Sequence, residues 1–162
     1  MGERSQISMR QKTGIALLLG LAWSKSVCAG CWVEAGDRHS IEPVLLYAIA
    51  QVESGLDPGA VNHNANGSRD IGVMQINSLH FPRLKARGIT EQRLRDDPCL
   101  SVEVGASILA EFVQRYGYNW TAVGAYNAGS SDDRQALRLH YAGKVWRRYQ
   151  ALLADDSVSA KL

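Results

Sequence analysis

The chain has 162 residues, of which 46% are hydrophobic and 21% are charged, and its formal net charge is +2. This length favours one domain with a real core, and the ordinary hydrophobic fraction excludes disordered and fibrous classes. Residues 1–29 contain four of the 18 basic residues and one of the 16 acidic ones, so the remainder carries a formal charge of about −1. We therefore expect no nucleic-acid partner, because no basic face is left to bind phosphates.

The first 29 residues have the organisation of an export signal. Arg10 and Lys12 precede the apolar stretch TGIALLLGLAW, and a cleavage-like Val-Cys-Ala sequence ends at Ala29. The apolar stretch is short for a bilayer span, so we expect cleavage, a periplasmic product and no stable membrane span afterwards. An uncleaved membrane tether, or a lipoprotein lipidated at Cys31, is the alternative. The predicted boundaries are 1–29 for the signal, 30–153 for one compact domain and 154–162 for a flexible tail.

Three cysteines are present, and two of them lie in the sequence CAGC at residues 28–31. We do not interpret this as a redox motif, because no strand precedes it and the expected cut falls inside it. Cleavage leaves Cys31 and Cys99, an even number in an exported protein. The sequence therefore predicts a disulfide between these two residues.

The first half of the domain is predicted to contain two helices and a small β element. A short helix is expected at CWVEAG, followed by a helix over residues 41–54 with Ser40 as its N-cap and Gly55 as its left-handed end. Residues 60–77 are rich in Asn and Gly, and the Asn66-Gly67 pair suits a tight type I′ turn. We expect a small hairpin or extended loop there.

The second half is predicted to be helical, which makes the fold mainly α, in the α+β class. The expected helices are a short interrupted one around Pro82, one capped by Thr90, one over residues 99–116 closed by Gly117, one ending at Gly129, and one over about 133–153. The apolar positions of the last, amphipathic helix are Leu137, Tyr141, Val145, Tyr149 and Leu152.

Glu53 is expected in the last turn of the 41–54 helix, beside aliphatic positions. Because an α-helix turns by about 100° per residue, the Glu53 side chain points in nearly the same direction as those of Ile49 and Leu46. Burial beside aliphatic groups and the partial negative charge of a helix C-terminus both raise the pKa of a carboxyl group. A glutamate that is protonated near neutral pH can act as a general acid. The alternative is an ordinary solvated glutamate.

Asp70 follows 17 residues later, where a hairpin would bring it across from the helix end. Two carboxyl groups in unlike surroundings form the acid-and-stabiliser pair of glycoside cleavage, although an aspartate there could equally cap a turn. Amide and hydroxyl side chains that suit sugar binding cluster in nearby stretches. The candidates are Gln75, Asn77, Tyr126 and Asn127.

Other chemistries have little support in the sequence. The four histidines are scattered without ligand spacing and no His-Glu-x-x-His motif occurs, so we expect no metal and no cofactor. The sequence also has neither a phosphate-binding glycine loop nor a Gly-x-Ser-x-Gly nucleophile elbow.

Three motifs, ES at 53–54, GVMQIN at 72–77 and AYNAG at 125–129, resemble in order and spacing the lytic transglycosylases with a soluble-transglycosylase-like domain. The similarity covers about residues 30–150. It is closest to small exported members that accompany conjugation, type IV pilus or type III secretion machinery. The resemblance implies a lysozyme-like, α-rich fold and cleavage of the β-1,4 bond between N-acetylmuramic acid and N-acetylglucosamine with a 1,6-anhydro product.

The resemblance also implies roles for individual residues. Glu53 is implied as the acid and then the base of the reaction, and Tyr126 as a hydrogen-bonding group near Glu53 or the substrate N-acetyl group. The implied partners are the glycan strands of peptidoglycan and components of an envelope-spanning apparatus. The residues implied to position the glycan are Ser54, Gln75, Tyr126 and Asn127.

The stretch from Glu53 to Ser78 is also similar to the active-site region of animal lysozymes, where an aspartate stands at the position of Asp70. Asp70 could then stabilise the transition state or act as the nucleophile. A hydrolytic muramidase that uses Glu53 and Asp70 is therefore one alternative. A non-catalytic wall-binding or assembly factor that keeps the fold is another.

Overall fold

The computed structural model describes residues 29–155, 157–158 and 162, so the predicted export signal lies outside the described residues except for Ala29. The described part contains seven α-helices and three short strands, which confirms the mainly α, α+β prediction. None of its helices is long and apolar enough to cross a membrane. The helices are α1 (Ala29–His39), α2 (Pro43–Ser54), α3 (Phe81–Lys85), α4 (Glu91–Asp96), α5 (Pro98–Tyr116), α6 (Trp120–Ala128) and α7 (Gln135–Leu153). The strands are β1 (Val61–His63), β2 (Arg69–Ile71) and β3 (Ile76–Asn77).

Helix α2 runs through the core, with α1 and α7 packed against it. Every side chain from Leu45 to Ala50 is buried, although the sequence pattern predicts burial on only one face. A helix that is apolar all round is an interior helix. It ends at Gly55, whose φ of 64° confirms the predicted left-handed end, so Glu53 lies where the core meets the surface.

The predicted start of this helix is wrong. Ser40 does not cap it but adopts a left-handed conformation with φ of 54°, and the helix begins at Pro43 with Glu42 as its N-cap. A proline disfavours the helical conformation in the residue before it, and Glu42 is accordingly extended, with ψ of 126°. The Glu42 carboxylate instead accepts a hydrogen bond from the Tyr149 hydroxyl of α7.

The β element is a three-stranded antiparallel sheet in the order β1-β2-β3. Its register places Asp70, in the middle of the central strand, opposite Asn62 on β1 and Asn77 on β3. Asp70 therefore has amide-bearing neighbours on both sides.

The turn between β1 and β2 differs from the predicted type I′ turn. It spans four residues, with the N–H of Gly67 donating to the carbonyl of Asn64 at 2.9 Å, and of these four only Gly67 has positive φ. A type I′ turn needs positive φ at both central residues. Asn66 does not adopt it, because its side-chain oxygen accepts the N–H of Ser68 at 3.0 Å and fixes a local turn.

The next three helices agree with the predictions made from Pro82, Thr90 and Gly117. Pro82 lies in the first turn of α3, directly after a 3₁₀ turn at Ser78–His80. The hydroxyl of Thr90 caps α4 by accepting the N–H of Arg93 at 3.2 Å. Helix α5 ends at Gly117, which has φ of 82°.

Helices α6 and α7 cross closely. A Cβ at Gly124 would overlap the backbone carbonyl of Arg138, so only glycine allows this approach. Leu137 was expected on the buried face of α7 but is 56% exposed. The reason is positional: the first turns of α7 border an open pocket rather than the core.

The predicted disulfide is confirmed, because Cys31 and Cys99 are joined and their Cα atoms are 5.2 Å apart. It connects α1 to the first turn of α5. Closing a loop of this length contributes about 4 kcal/mol by the chain-entropy estimate, which is an upper figure. In the 154–162 segment, Val158 is buried against the core, and flexibility of that segment stays a prediction.

Candidate active site

A cleft of about 590 Å³ lies between the sheet and helices α5 and α6, with Glu53 on its wall. The structure brings six of the seven predicted substrate and catalytic residues to this cleft. They are Glu53, Asp70, Gln75, Asn77, Tyr126 and Asn127. Ser54 does not line it; its hydroxyl donates to the backbone carbonyl of Val73 at 2.8 Å.

Glu53 has the environment expected of a proton donor. Its pKa is raised from 4.5 to about 7, mainly because burial disfavours the charged carboxylate. The charge of Asp70 raises the pKa further, whereas the Tyr141 hydroxyl and the Lys144 ammonium lower it. Near neutral pH, Glu53 can therefore both donate and accept a proton.

Tyr141 is one of two site residues that the sequence did not single out; the other is Asn64. Tyr141 lies on α7, and its hydroxyl donates a hydrogen bond to Oε1 of Glu53. Burial and the neighbouring Glu53 charge raise the pKa of Tyr141 well above its usual value, so it remains a hydrogen-bond donor. The sequence predicts only that Tyr141 is buried on an amphipathic helix. The available signal was its hydroxyl, since a buried tyrosine normally has a polar partner.

Asp70 is held by two side-chain amides. Nδ2 of Asn77 donates to Oδ1 of Asp70 at 2.6 Å, and Nδ2 of Asn64 donates to Oδ2 at 2.9 Å. Asn77 is a predicted site residue, whereas Asn64 was not singled out in the sequence. These two donors fix the direction of the carboxylate.

Tyr126 and Gln75 make contacts within the protein at the floor of the cleft. The hydroxyl of Tyr126 donates to the carbonyl of Met74 at 2.8 Å, whereas the hydroxyl that donates to Glu53 is that of Tyr141. Burial and the charge of the nearby Glu53 raise the pKa of Tyr126 well above its usual value. Gln75 has φ of 49° and donates to the carbonyl of Gly72 at 2.8 Å. Both side chains thus hold the GVMQIN loop in place, and their contact with a glycan stays a prediction.

A second pocket, of about 250 Å³, adjoins the first on the other side of Glu53. The two share Asn127 and Arg134, so together they form one groove that passes Glu53. The second pocket is lined by Val52, Glu53, Asn127, Ala128, Arg134, Leu137, His140, Tyr141 and Lys144. In the described part of the chain, no group of three or more His, Cys, Asp or Glu side chains is placed to hold a metal.

Comparison with known proteins gives a consistent result. The family model described as "Transglycosylase SLT domain" matches residues 30–148. The chain is 53% identical over 136 residues to "Invasion protein IagB" of Salmonella typhimurium (strain SL1344), covering 84% of this chain and 82% of that protein. It is 50% identical over 128 residues to "Protein IpgF" of Shigella flexneri, covering 79% and 84%. It is 43% identical over 139 residues to a "Peptidoglycan-binding-like protein" of Escherichia coli O157:H7, covering 82% and 83%.

The fold also matches a solved structure. An X-ray structure of an inactive mutant of the lytic transglycosylase Slt from Pseudomonas aeruginosa superposes with a TM-score of 0.61 and 20% sequence identity. The match covers 80% of this chain but 25% of the Slt chain, so the similarity is to one part of a larger protein. At this identity it establishes the fold, and the predicted lysozyme-like architecture is confirmed. The chain belongs to the transglycosylase SLT domain family, and it is an enzyme, a peptidoglycan lytic transglycosylase.

Proposed function

We propose that this protein cleaves the β-1,4 bond between N-acetylmuramic acid and N-acetylglucosamine and forms a 1,6-anhydro end. The observation that carries the proposal is the pKa of about 7 at Glu53, on the wall of a cleft of about 590 Å³ that is also lined by Asp70 and side-chain amides. A pKa close to the working pH suits a group that first gives up a proton and then takes one back.

In the first step, Glu53 donates its proton to the glycosidic oxygen while the bond from that oxygen to C1 of the muramic residue breaks. The N-acetylglucosamine hydroxyl leaves, and positive charge develops at C1 and the ring oxygen. Asp70 lies in the same cleft with its carboxylate fixed by Asn64 and Asn77, and it stabilises this charge.

In the second step, the Glu53 carboxylate accepts the proton of the muramic C6 hydroxyl while O6 bonds to C1. The ring closes as the 1,6-anhydro sugar, Glu53 is protonated again, and no water is consumed. The Tyr141 hydroxyl, which donates to Oε1, holds the carboxyl group in place and stabilises its charged form between the two steps.

Mass spectrometry of the products tests this proposal directly. Digestion of purified peptidoglycan is expected to give muropeptides one water lighter than those of a hydrolase, because the anhydro ring replaces a reducing end. Products that end only in hydrolysed sugars would refute the anhydro mechanism and support the muramidase alternative, which the presence of Asp70 in the cleft favours.

We further propose that the enzyme acts in the periplasm and opens the wall locally for an envelope-spanning apparatus. The Cys31–Cys99 disulfide suits an oxidising compartment, and relatives with 53% identity are named invasion proteins. Deleting the gene should reduce assembly of the apparatus, measured by its secreted products, and a plasmid copy should restore it. Restoration by the Glu53→Gln variant would instead support a non-catalytic assembly factor.

A further inference from the structure

The two pockets of the groove differ in the charged side chains that only one of them contains, with Asp70 in the larger cleft and Lys144 in the second pocket. The larger cleft holds Asp70 and a cluster of side-chain amides. The second pocket shares Arg134 with the larger cleft and adds His140 and Lys144, and its sole described carboxyl-bearing residue is Glu53 itself. Near neutral pH, this pocket therefore presents two cationic groups beside an acid that is only partly ionised.

The basic side chains of the second pocket are accessible to a ligand. Arg134, His140 and Lys144 are all exposed to solvent, and none of them forms an ion pair within 4.0 Å in the described part of the chain. Arg134 donates one hydrogen bond, to the backbone carbonyl of Ala128 at 3.3 Å, which leaves most of its five donors unused. His140 and Lys144 are one turn apart on α7 and so point in similar directions.

The walls of the pocket are partly aliphatic. Leu137 is 56% exposed there, although it belongs to the apolar pattern of α7, and Val52 lies opposite on α2. Cationic groups above an aliphatic wall suit a ligand that combines carboxylates with short apolar side chains. A bare sugar ring does not have this combination.

We infer that Arg134 and Lys144 form a binding site for the carboxylates of the peptide stem on the muramic residue next to the cleaved bond. This inference rests on the proposed function, because it assigns one part of that substrate to one part of the groove. It makes the enzyme selective for glycan strands whose stems are present and negatively charged.

Soluble glycan strands in three forms test the inference: with intact peptide stems, with the stem carboxylates converted to neutral amides, and with the stems removed so that only lactyl carboxylates remain. Wild-type kcat/KM is expected to be about tenfold higher on intact stems than on either other form, as for two partly exposed ion pairs. The ratio should fall as salt is raised. A high rate on stripped strands would assign the site to the lactyl carboxylate and overturn the stem assignment.

The double variant Arg134→Gln, Lys144→Met should bring the intact-to-amidated ratio close to one. Taking this ratio cancels the effect that Lys144 has on the Glu53 pKa, because that effect is common to both substrates. Arg147→Gln is the matched control, since Arg147 is an exposed cation of α7 that does not line the pocket, and it should keep the wild-type ratio. Equal losses on both substrates in the double variant would overturn the inference.

Binding separates this inference from the proposed function. Calorimetric titration of the Glu53→Gln variant with intact and amidated strands should show the same preference of about tenfold, without any cleavage. If the variant shows this binding preference but the wild-type enzyme gives no anhydro product, the stem-binding site is supported and the proposed reaction is refuted. Anhydro product with no binding preference would refute the site alone.

Discussion

Glu53 and Asp70 are two carboxyl groups in one cleft that the fold supports in opposite ways. Glu53 ends a buried helix, its pKa is raised by burial, and its hydrogen-bond donor is a single tyrosine hydroxyl from α7. Asp70 lies on the central strand of a small sheet, and two side-chain amides hold it. Helix packing thus removes water from one carboxyl group, while sheet pairing supplies donors to the other.

The secondary structure around each acid thus sets its environment, burial for Glu53 and side-chain donors for Asp70. A helix end packed in the core keeps a carboxyl group neutral and ready to donate a proton. A strand with amide-bearing neighbours holds a carboxylate in a fixed direction. Substitutions of Glu53, of Asp70 or of the residues that hold them should therefore differ in the size of their effect on kcat and in the direction of their effect on stability and on the pH profile.

The largest effect is expected from Glu53→Gln, which keeps the size of the side chain but cannot transfer a proton. We expect kcat on purified peptidoglycan to fall by about 1,000-fold or more. Glu34→Gln, at an exposed glutamate of α1, is the matched control and should retain wild-type activity. A Glu53→Gln protein that clears peptidoglycan at the parental rate would contradict the whole mechanism.

Asp70→Asn should cause a smaller loss. If the carboxylate stabilises charge without bonding to the sugar, kcat falls by about 10- to 100-fold, which corresponds to about 1.4–2.7 kcal/mol of transition-state stabilisation. The products should still carry the anhydro ring in mass spectra. Asp37→Asn on α1 controls for the change in net charge. A loss as large as that of Glu53→Gln would indicate a nucleophile instead.

The same pair of variants should change stability in opposite directions. Folded Glu53 keeps a proton that the unfolded chain releases between pH 4.5 and about 7, so the wild type loses stability as the pH rises through this range. Glutamine does not titrate, so Glu53→Gln should raise the free energy of unfolding by up to about 3 kcal/mol at pH 8 and by little at pH 4.

Asp70→Asn should instead lower the free energy of unfolding, by about 1 kcal/mol, because its new amide group faces the amide donors of Asn64 and Asn77. Urea unfolding of both variants at pH 4 and pH 8 measures the contrast. A Glu53→Gln variant no more stable than the wild type at pH 8 would show that burial of this carboxyl group is not costly.

The smallest effects are expected in the pH dependence of kcat/KM. The Tyr141 hydroxyl lowers the pKa of Glu53, so Tyr141→Phe should move the alkaline limb of the profile to higher pH, with less than about tenfold loss of rate. The Asp70 charge raises that pKa, so Asp70→Asn should move the limb to lower pH. Shifts in the same direction for both variants would contradict the assigned electrostatics.

The sequence predicted the parts of this site that depend on local pattern. Glu53 in the last turn of a helix, Gly55 as its left-handed end, and the Cys31–Cys99 pair all follow from spacing and residue type. The motifs GVMQIN and AYNAG then identified the family. Each of these signals lies within a few residues or in a recognisable order along the chain.

The sequence could not predict the parts that depend on how distant elements meet. Tyr141 is 88 residues from Glu53, and only the packing of α7 against α2 brings its hydroxyl to the carboxyl group. The predicted type of the β1–β2 turn was wrong because a side-chain hydrogen bond of Asn66 outweighs the usual preference of an Asn-Gly pair for a type I′ turn. Leu137 was misplaced because periodicity cannot distinguish a buried face from the wall of a pocket.

The hydrogen bond from Tyr141 to Glu53 also has a consequence during synthesis of the chain. The ribosome makes α2 early and α7 last, so every nascent or truncated chain that ends before residue 141 lacks the partner of the acid. Without α7 packed against α2, Glu53 would lose this partner and part of the burial that is the main cause of its raised pKa. The last of the described α-helices therefore completes the environment of the proton donor, although none of the three family motifs lies on it.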